Sequence, residues 1–227
     1  MTSPNQPNPG DEVVGTYPND PPVWPSLSMT WRAWKTLHAD LARRGGGHRE
    51  SGAFLLARPG ERQVRAWVAY DDLDPDCLVG NISFHAVGFS RLWALCSQHG
   101  LSVIADIHTH PGAGTSQSQT DATHPMIATA GHIALITPFY AAAALPPQQV
   151  GVHVLLGSRR WASPPPDQRA TVLRLRLPAP PWPRPLRPAG GPSSGTVGAV
   201  PAPDTTVLGR RPHHAAPKTS APRRRDQ

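Results

Sequence analysis

Residues 105–121 read Ala105-Asp106-Ile107-His108-Thr109-His110-Pro111-Gly112-Ala113-Gly114-Thr115-Ser116-Gln117-Ser118-Gln119-Thr120-Asp121. The apolar residues at 101–104 just before them predict a buried strand that runs on into this stretch. Side chains in a strand alternate, so His108 and His110 point to one side at its end. Pro111 stops the ladder because it has no N–H, and Gly112 and Gly114 let the chain turn. Ser118 and Asp121 follow at i and i+3, on one face of a predicted helix start. A strand end and a helix start thus bring two imidazoles and a carboxylate toward one point.

Two His and one Asp suit zinc, and they leave a fourth tetrahedral position for water, as in a catalytic site. Such a site needs a proton acceptor. The candidate is Glu50, which opens the otherwise apolar strand at residues 50–58. A carboxylate there is costly to bury without a role. Asp106 shares the parity of His108 and is a candidate acceptor for an imidazole N–H, which would set the tautomer. His124 lies close in sequence but is read as a bystander, because the ligand set is already complete. Taken singly, Ser118 is an ordinary helix N-cap and Asp121 an ordinary first-turn carboxylate.

His-x-His-Pro followed by Ser-x-x-Asp, with an upstream Glu opening an apolar strand, resembles the motif of the JAMM (MPN+) metallopeptidases. The resemblance spans roughly residues 27–161. It implies zinc (Zn2+, one ion) on His108, His110 and Asp121, Glu50 as general acid/base, and Ser118 as the residue that helps polarise the scissile carbonyl. It also implies an α/β (α+β) fold with a mixed central β-sheet flanked by helices, the cytidine-deaminase-like JAMM/MPN fold. By the same likeness the expected substrate is a ubiquitin-like protein or its conjugates, with E1-like and E2-like enzymes as further partners. The likeness is to compact prokaryotic members, some of which act in defence against phage. A sulfur-carrier protein as substrate, a metal-free MPN scaffold and a DNA-associated relative are the alternatives.

Composition sets the frame around that motif. The chain has 227 residues with 29 Pro and 20 Gly, so much of it is expected to stay unpacked. The net charge of +7 is concentrated after Pro178, where Pro, Gly and Arg dominate and the chain ends near Arg223-Arg224-Arg225. The rest is close to neutral and carries no field that argues for nucleic acid, leaving only weak contact through the tail. The expected organisation is a disordered arm at 1–25, a peptidase domain at 26–177 and a disordered tail at 178–227. The first residues lack the basic and apolar regions of a signal peptide, and no long apolar span occurs, so a cytoplasmic protein away from membranes is expected. Cys77 and Cys96 are expected as buried thiols.

The remaining pattern predicts a helix over 28–44 with Ser28 as N-cap and Trp31, Trp34, Leu37 and Leu41 on one face. A strand at 63–73 should return from the Pro59-Gly60 turn. The acidic loop holding Asp71, Asp72, Asp74 and Asp76 is expected to be solvated, and the resemblance to the JAMM family implies that residues 78–82 help cradle the modifier. A second helix at 83–99 should bury Val87, Leu92, Leu95 and Cys96. Strands are expected at 132–138 and 150–157, with residues 159–161 closing the domain. The alternating segment at 171–177 reads as an edge strand or one that pairs with a partner.

Overall fold

The computed structural model describes residues 23–78, 82–177 and 184–188. In chain order its elements begin with β1 (Leu27–Thr30), α1 (Trp31–Gly45), β2 (Gly52–Ala57), β3 (Ala66–Ala69) and the helical turn α2 (Tyr70–Leu73). Then come α3 (Ala86–His99), β4 (Ser102–Thr109), the short α4 (Gln119–Thr123), β5 (Ile133–Thr137), β6 (Gly151–Gly157) and β7 (Arg160–Ala162). The turn α5 (Arg169–Val172), β8 (Leu173–Arg176) and the two-residue β9 (Arg184–Pro185) complete the described chain. The main sheet runs β7-β6-β5-β4-β2-β3-β9, and β1 pairs with β8 in a separate two-stranded sheet. Only β4–β5 and β3–β9 are parallel within the main sheet. The fold is therefore the expected mixed α/β arrangement.

Strand alternation divides the core between the two faces of the sheet. Ala53, Leu55, Ala105, Ile107, Ile133 and Leu135 pack with Trp34, Leu37 and Leu41 of α1. Phe54, Leu56, Val68 and Tyr70 pack with Leu92 and Leu95 of α3. Between β2 and β4 the register shifts, with Leu55 opposite Ala105 but Leu56 opposite Val103. The extra residue is Ile104, and this bulge changes the parity of the strand. Val103 faces α3 while Ala105 and Ile107 face α1. Asp106 and His108 are thereby aimed at the α3 side at the end of the strand.

Several expected boundaries move, each for a packing reason. Residues 27–30 are a strand, not the first turn of a helix. Leu27 and Met29 are buried there and pair in parallel with Leu173 and Leu175. Thr30, not Ser28, caps α1, accepting the Ala33 N–H at 3.1 Å. The segment at 171–177 accordingly pairs with the chain's own β1. The strand expected at 63–73 is formed only over Ala66–Ala69, because Tyr70–Leu73 coils into a turn that presents two carboxylates to Arg44. The Arg44 guanidinium donates to Asp71 at 2.6 Å and to Asp72 at 2.7 Å. The acidic loop is thus tied down by ion pairs, and Asp74 is buried, accepting the His85 N–H at 2.8 Å. Helix α3 begins at Ala86, and its buried line passes through Gly88 while Val87 is exposed.

Cys77 and Cys96 are buried free thiols. No helix among the described residues is long and apolar enough to cross a membrane. Most of the expected arm, residues 79–81 of the expected cradle, and the tail with Arg223, Arg224 and Arg225 lie outside the described residues. Within that tail region β9 is described, beside β3.

His38 has a consequence for stability. It is buried on α1 with Nδ1 3.0 Å from the Trp34 carbonyl and Nε2 3.1 Å from Thr137 Oγ1. Burial lowers its pKa to about 4 from 6.5, against the raising effect of the Trp34 hydrogen bond. The unfolded chain therefore takes up the proton first as pH falls, and stability drops between 6.5 and 4. The loss should reach about 3 kcal/mol, at 1.36 kcal/mol per pKa unit. Urea unfolding across that range should show this slope, and His38→Gln should flatten it.

Candidate metal centre

The centre is assembled where β2 begins and β4 ends. Gly52 pairs with His108. One residue further, the Thr109 N–H donates to the Ser51 carbonyl at 2.9 Å, and the Ser51 N–H donates to Thr109 Oγ1 at 2.9 Å. Ser51 Oγ in turn donates to the Leu41 carbonyl of α1 at 2.8 Å. Glu50 is the next residue out from this clamp and is half-buried. Burial raises its pKa, the neighbouring His108 and His110 act to lower it, and Asp121 adds to the rise. Its carboxyl therefore lies within the field of all three candidate ligands.

His110 lies past the end of β4, yet its N–H donates to the Thr137 carbonyl of β5 at 2.9 Å. Its Nδ1 is 3.1 Å from the Gly114 carbonyl, an arrangement in which Nδ1 carries the proton and Nε2 is left free to coordinate. The loop behind it is pinned by β6. The Thr115 carbonyl meets His153 Nε2 at 2.9 Å. A Cβ on Gly151 would lie 2.1 Å from that carbonyl, so the close approach needs glycine. The loop then enters α4 through a capping box, with Ser118 Oγ accepting the Asp121 N–H at 3.1 Å and the Ser118 N–H donating to Asp121 Oδ2 at 2.8 Å. The capping reading of Ser118 and Asp121 is realised, and it orients the carboxylate. Helix α4 ends at Thr123, ahead of Pro125.

Three donor atoms result. His108 Nε2 and His110 Nε2 are 3.2 Å apart, and each is 3.7 Å from Asp121 Oδ2. The point equidistant from such a triangle lies about 2.1 Å from each atom, which is the Zn–N and Zn–O bond length. That point lies in the plane of the three atoms, so the donor set is of a size to hold a zinc ion, and a tetrahedral ion would draw Asp121 a few tenths of an ångström closer. Burial opposes a charge on His108, but Asp106 and Asp121 beside it outweigh that and raise its pKa to about 9. Burial likewise tends to raise Asp121, but His108 and His110 hold it well below the usual carboxylate range.

Asp106 is buried behind His108, with Oδ2 4.0 Å from His108 Nδ1, a charge contact and too long for a hydrogen bond. Its oxygens are taken by the Tyr70 hydroxyl at 2.9 Å and His132 Nε2 at 2.6 Å. Burial works against its charge, and His108 and His132 overcome that to hold its pKa at about 2. Parity brought Asp106 to light in the sequence. Tyr70 and His132 carried no such signal, since strand pairing alone brings them in. Gly52 makes room for Tyr70: a Cβ there would sit 2.2 Å from its ring. His124 stands outside the donor cluster but lines the adjoining cavity.

The sequence pattern that defines the prokaryotic homologs of the JAB domain matches residues 32–168. Similar solved structures include a protein of Desulfitobacterium hafniense, 17% identical over 66% of this chain and 94% of that one, with a TM-score of 0.44. Another is a protein of Salinibacter ruber, 18% identical over 71% and 96%, with a TM-score of 0.45. A third is a JAB1/MPN domain protein from Archaeoglobus fulgidus, 13% identical over 59% and 91%, with a TM-score of 0.33.

Gly52→Ala should push the Tyr70 ring off Asp106 and destabilise the fold by about 1–3 kcal/mol, the usual cost of overpacking. Denaturant unfolding measures the loss. An unchanged midpoint would show that Tyr70 is not confined as described.

Proposed function

Because the chain belongs to the family of prokaryotic JAB-domain homologs, we propose that it is a zinc-dependent hydrolase of amide bonds. Its substrate in this reading is a ubiquitin-like protein joined to its target, or the precursor of that modifier. The observation that carries the proposal is the convergence of His108 Nε2, His110 Nε2 and Asp121 Oδ2 at metal-ligand spacing, with the charge of all three felt by Glu50. These three residues would hold the metal. When bound, zinc acts as a Lewis acid toward a carbonyl and makes water a usable nucleophile near neutral pH.

The remaining roles fall to the chain's own side chains. Glu50 accepts the proton of the attacking water, and its raised pKa moves it toward the working pH. Ser118 Oγ already accepts the Asp121 N–H, so its O–H is free to donate to the substrate oxygen that gains charge. Glu50 then returns the proton to the leaving nitrogen. Water is added across the C–N bond, giving a carboxylic acid and an amine. That amine is a backbone or a lysine amine, since the same groups serve both. A chain acting in this way belongs in the cytoplasm beside the E1-like and E2-like enzymes that make such conjugates, a setting that includes defence against phage.

Glu50→Gln should keep stoichiometric zinc, measured by elemental analysis, and lose about 10²-fold or more in turnover of ubiquitin-like fusions. Wild-type activity should vanish with a chelator. Undiminished turnover by the variant would remove Glu50 from the mechanism. A second outcome follows from His108. With a pKa of about 9 it carries a proton at neutral pH, and zinc must displace that proton. Apparent zinc affinity should therefore rise with pH up to about 9. Calorimetry in buffers of different ionisation enthalpy should show about one proton released per zinc at pH 7.

A further inference from the structure

Next to the three donors lies a cavity of about 420 Å³. His108 and Asp121 line it, as do the large apolar side chains Phe84, Phe89, Met126 and Trp161, with Gln117 and Thr120 among its polar lining. The walls are built and held. Phe84 packs edge-on against Phe89 with centroids 4.7 Å apart, and against Phe54 of the core at 5.3 Å. Gly88 is what lets it sit there, because a Cβ at that position would lie 2.6 Å from the tip of the Phe84 ring. The Asp74 carboxylate holds the neighbouring residue, taking the His85 N–H at 2.8 Å and its Nδ1 at 2.7 Å. Across the cavity, Trp161 Nε1 donates to the Ala122 carbonyl at 3.0 Å and so ties that wall to α4. All four wall side chains are only half-buried, although all four are large and apolar.

We infer that this cavity receives a bulky apolar side chain, aromatic or branched aliphatic, from the substrate residue that flanks the cleaved amide. The inference rests on the hydrolase reading above and names the residue that reading leaves open. Continuity with the donors sets the place, because His108 and Asp121 are themselves part of the cavity lining. Size sets the class. The volume accommodates one large residue with the backbone that carries it, and a glycine would leave the aromatic walls wet.

The test uses the full chain with its methionine methyl groups labelled with 13C. Met126 lies in the cavity wall, while Met29 is buried on the opposite face of the sheet and serves as control. Met126→Leu assigns the signal. N-acetyl-phenylalaninamide and N-acetyl-leucinamide should shift the Met126 methyl saturably, while N-acetyl-glycinamide and the Met29 methyl should give no response. No shift, or an equal shift with the glycine probe, would overturn the inference. With zinc added, peptides carrying Phe or Leu beside the scissile bond should be cut with kcat/KM about tenfold or more above their Gly-Gly counterparts. Cleavage that favours Gly-Gly would overturn the pocket assignment and leave the hydrolase standing. Absence of cleavage of every peptide, with the Met126 shift intact, would instead strike the hydrolase reading and leave the pocket's selectivity supported.

Discussion

The reciprocal hydrogen bonds between Ser51 and Thr109 hold the centre together. They are two bonds of 2.9 Å between a residue just before β2 and the last residue of β4. Thr109 sits between the two histidines, and Ser51 follows Glu50 directly. The pair therefore fixes the backbone next to the acid–base candidate against the backbone that carries the two histidines. The tie from Ser51 Oγ to the Leu41 carbonyl extends the constraint into α1. Both residues are fully buried, so these bonds are not shared with water, which gives them their stiffness.

A second constraint lies behind the histidines. Asp106 is a buried carboxylate, and such a group is tolerated only when its oxygens are answered. Tyr70 and His132 answer them, and His108 adds its charge from 4.0 Å. Tyr70 can reach Asp106 only because residue 52 has no side chain, and Gly52 is in turn the partner of His108 in the sheet. One small residue thus serves both the ladder and the polar network. The bulge at Ile104 acts in the same direction, since it turns Asp106 and His108 toward the α3 side, where the cavity opens.

The two faces of the sheet are used differently. The α1 face is closed by Trp34, Leu37, Leu41 and the β1–β8 pair, and its buried His38 is paired internally, while Trp67 Nε1 is buried there without a partner among the described residues. The α3 face is closed only at its far end, by Leu92, Leu95 and the aromatic cluster around Phe54. Near the ends of β4 and β5 it is left to the loop that carries Ser118 and Asp121. That loop is held by contacts from β6, through Gly151 and His153, and not by a core of its own.

The sequence by itself determined the donors and the ladder of elements around them. His108 and His110 follow from period two at a strand end, Asp121 from its offset to Ser118, and the mixed α/β class from the resemblance those residues carry. These are local facts, carried by residues a few positions apart. Tertiary structure alone decided what depends on distant pairing. Residues 27–30 became a strand because Leu173–Arg176 lay beside them, and Tyr70 left the strand because Arg44 drew Asp71 and Asp72 around it. His132 joined the centre because β5 lies beside β4, and a histidine at the head of a strand carries no mark of which carboxylate it will meet. Periodicity records which way a side chain points, but what it points at is fixed only when separate stretches of chain are packed together.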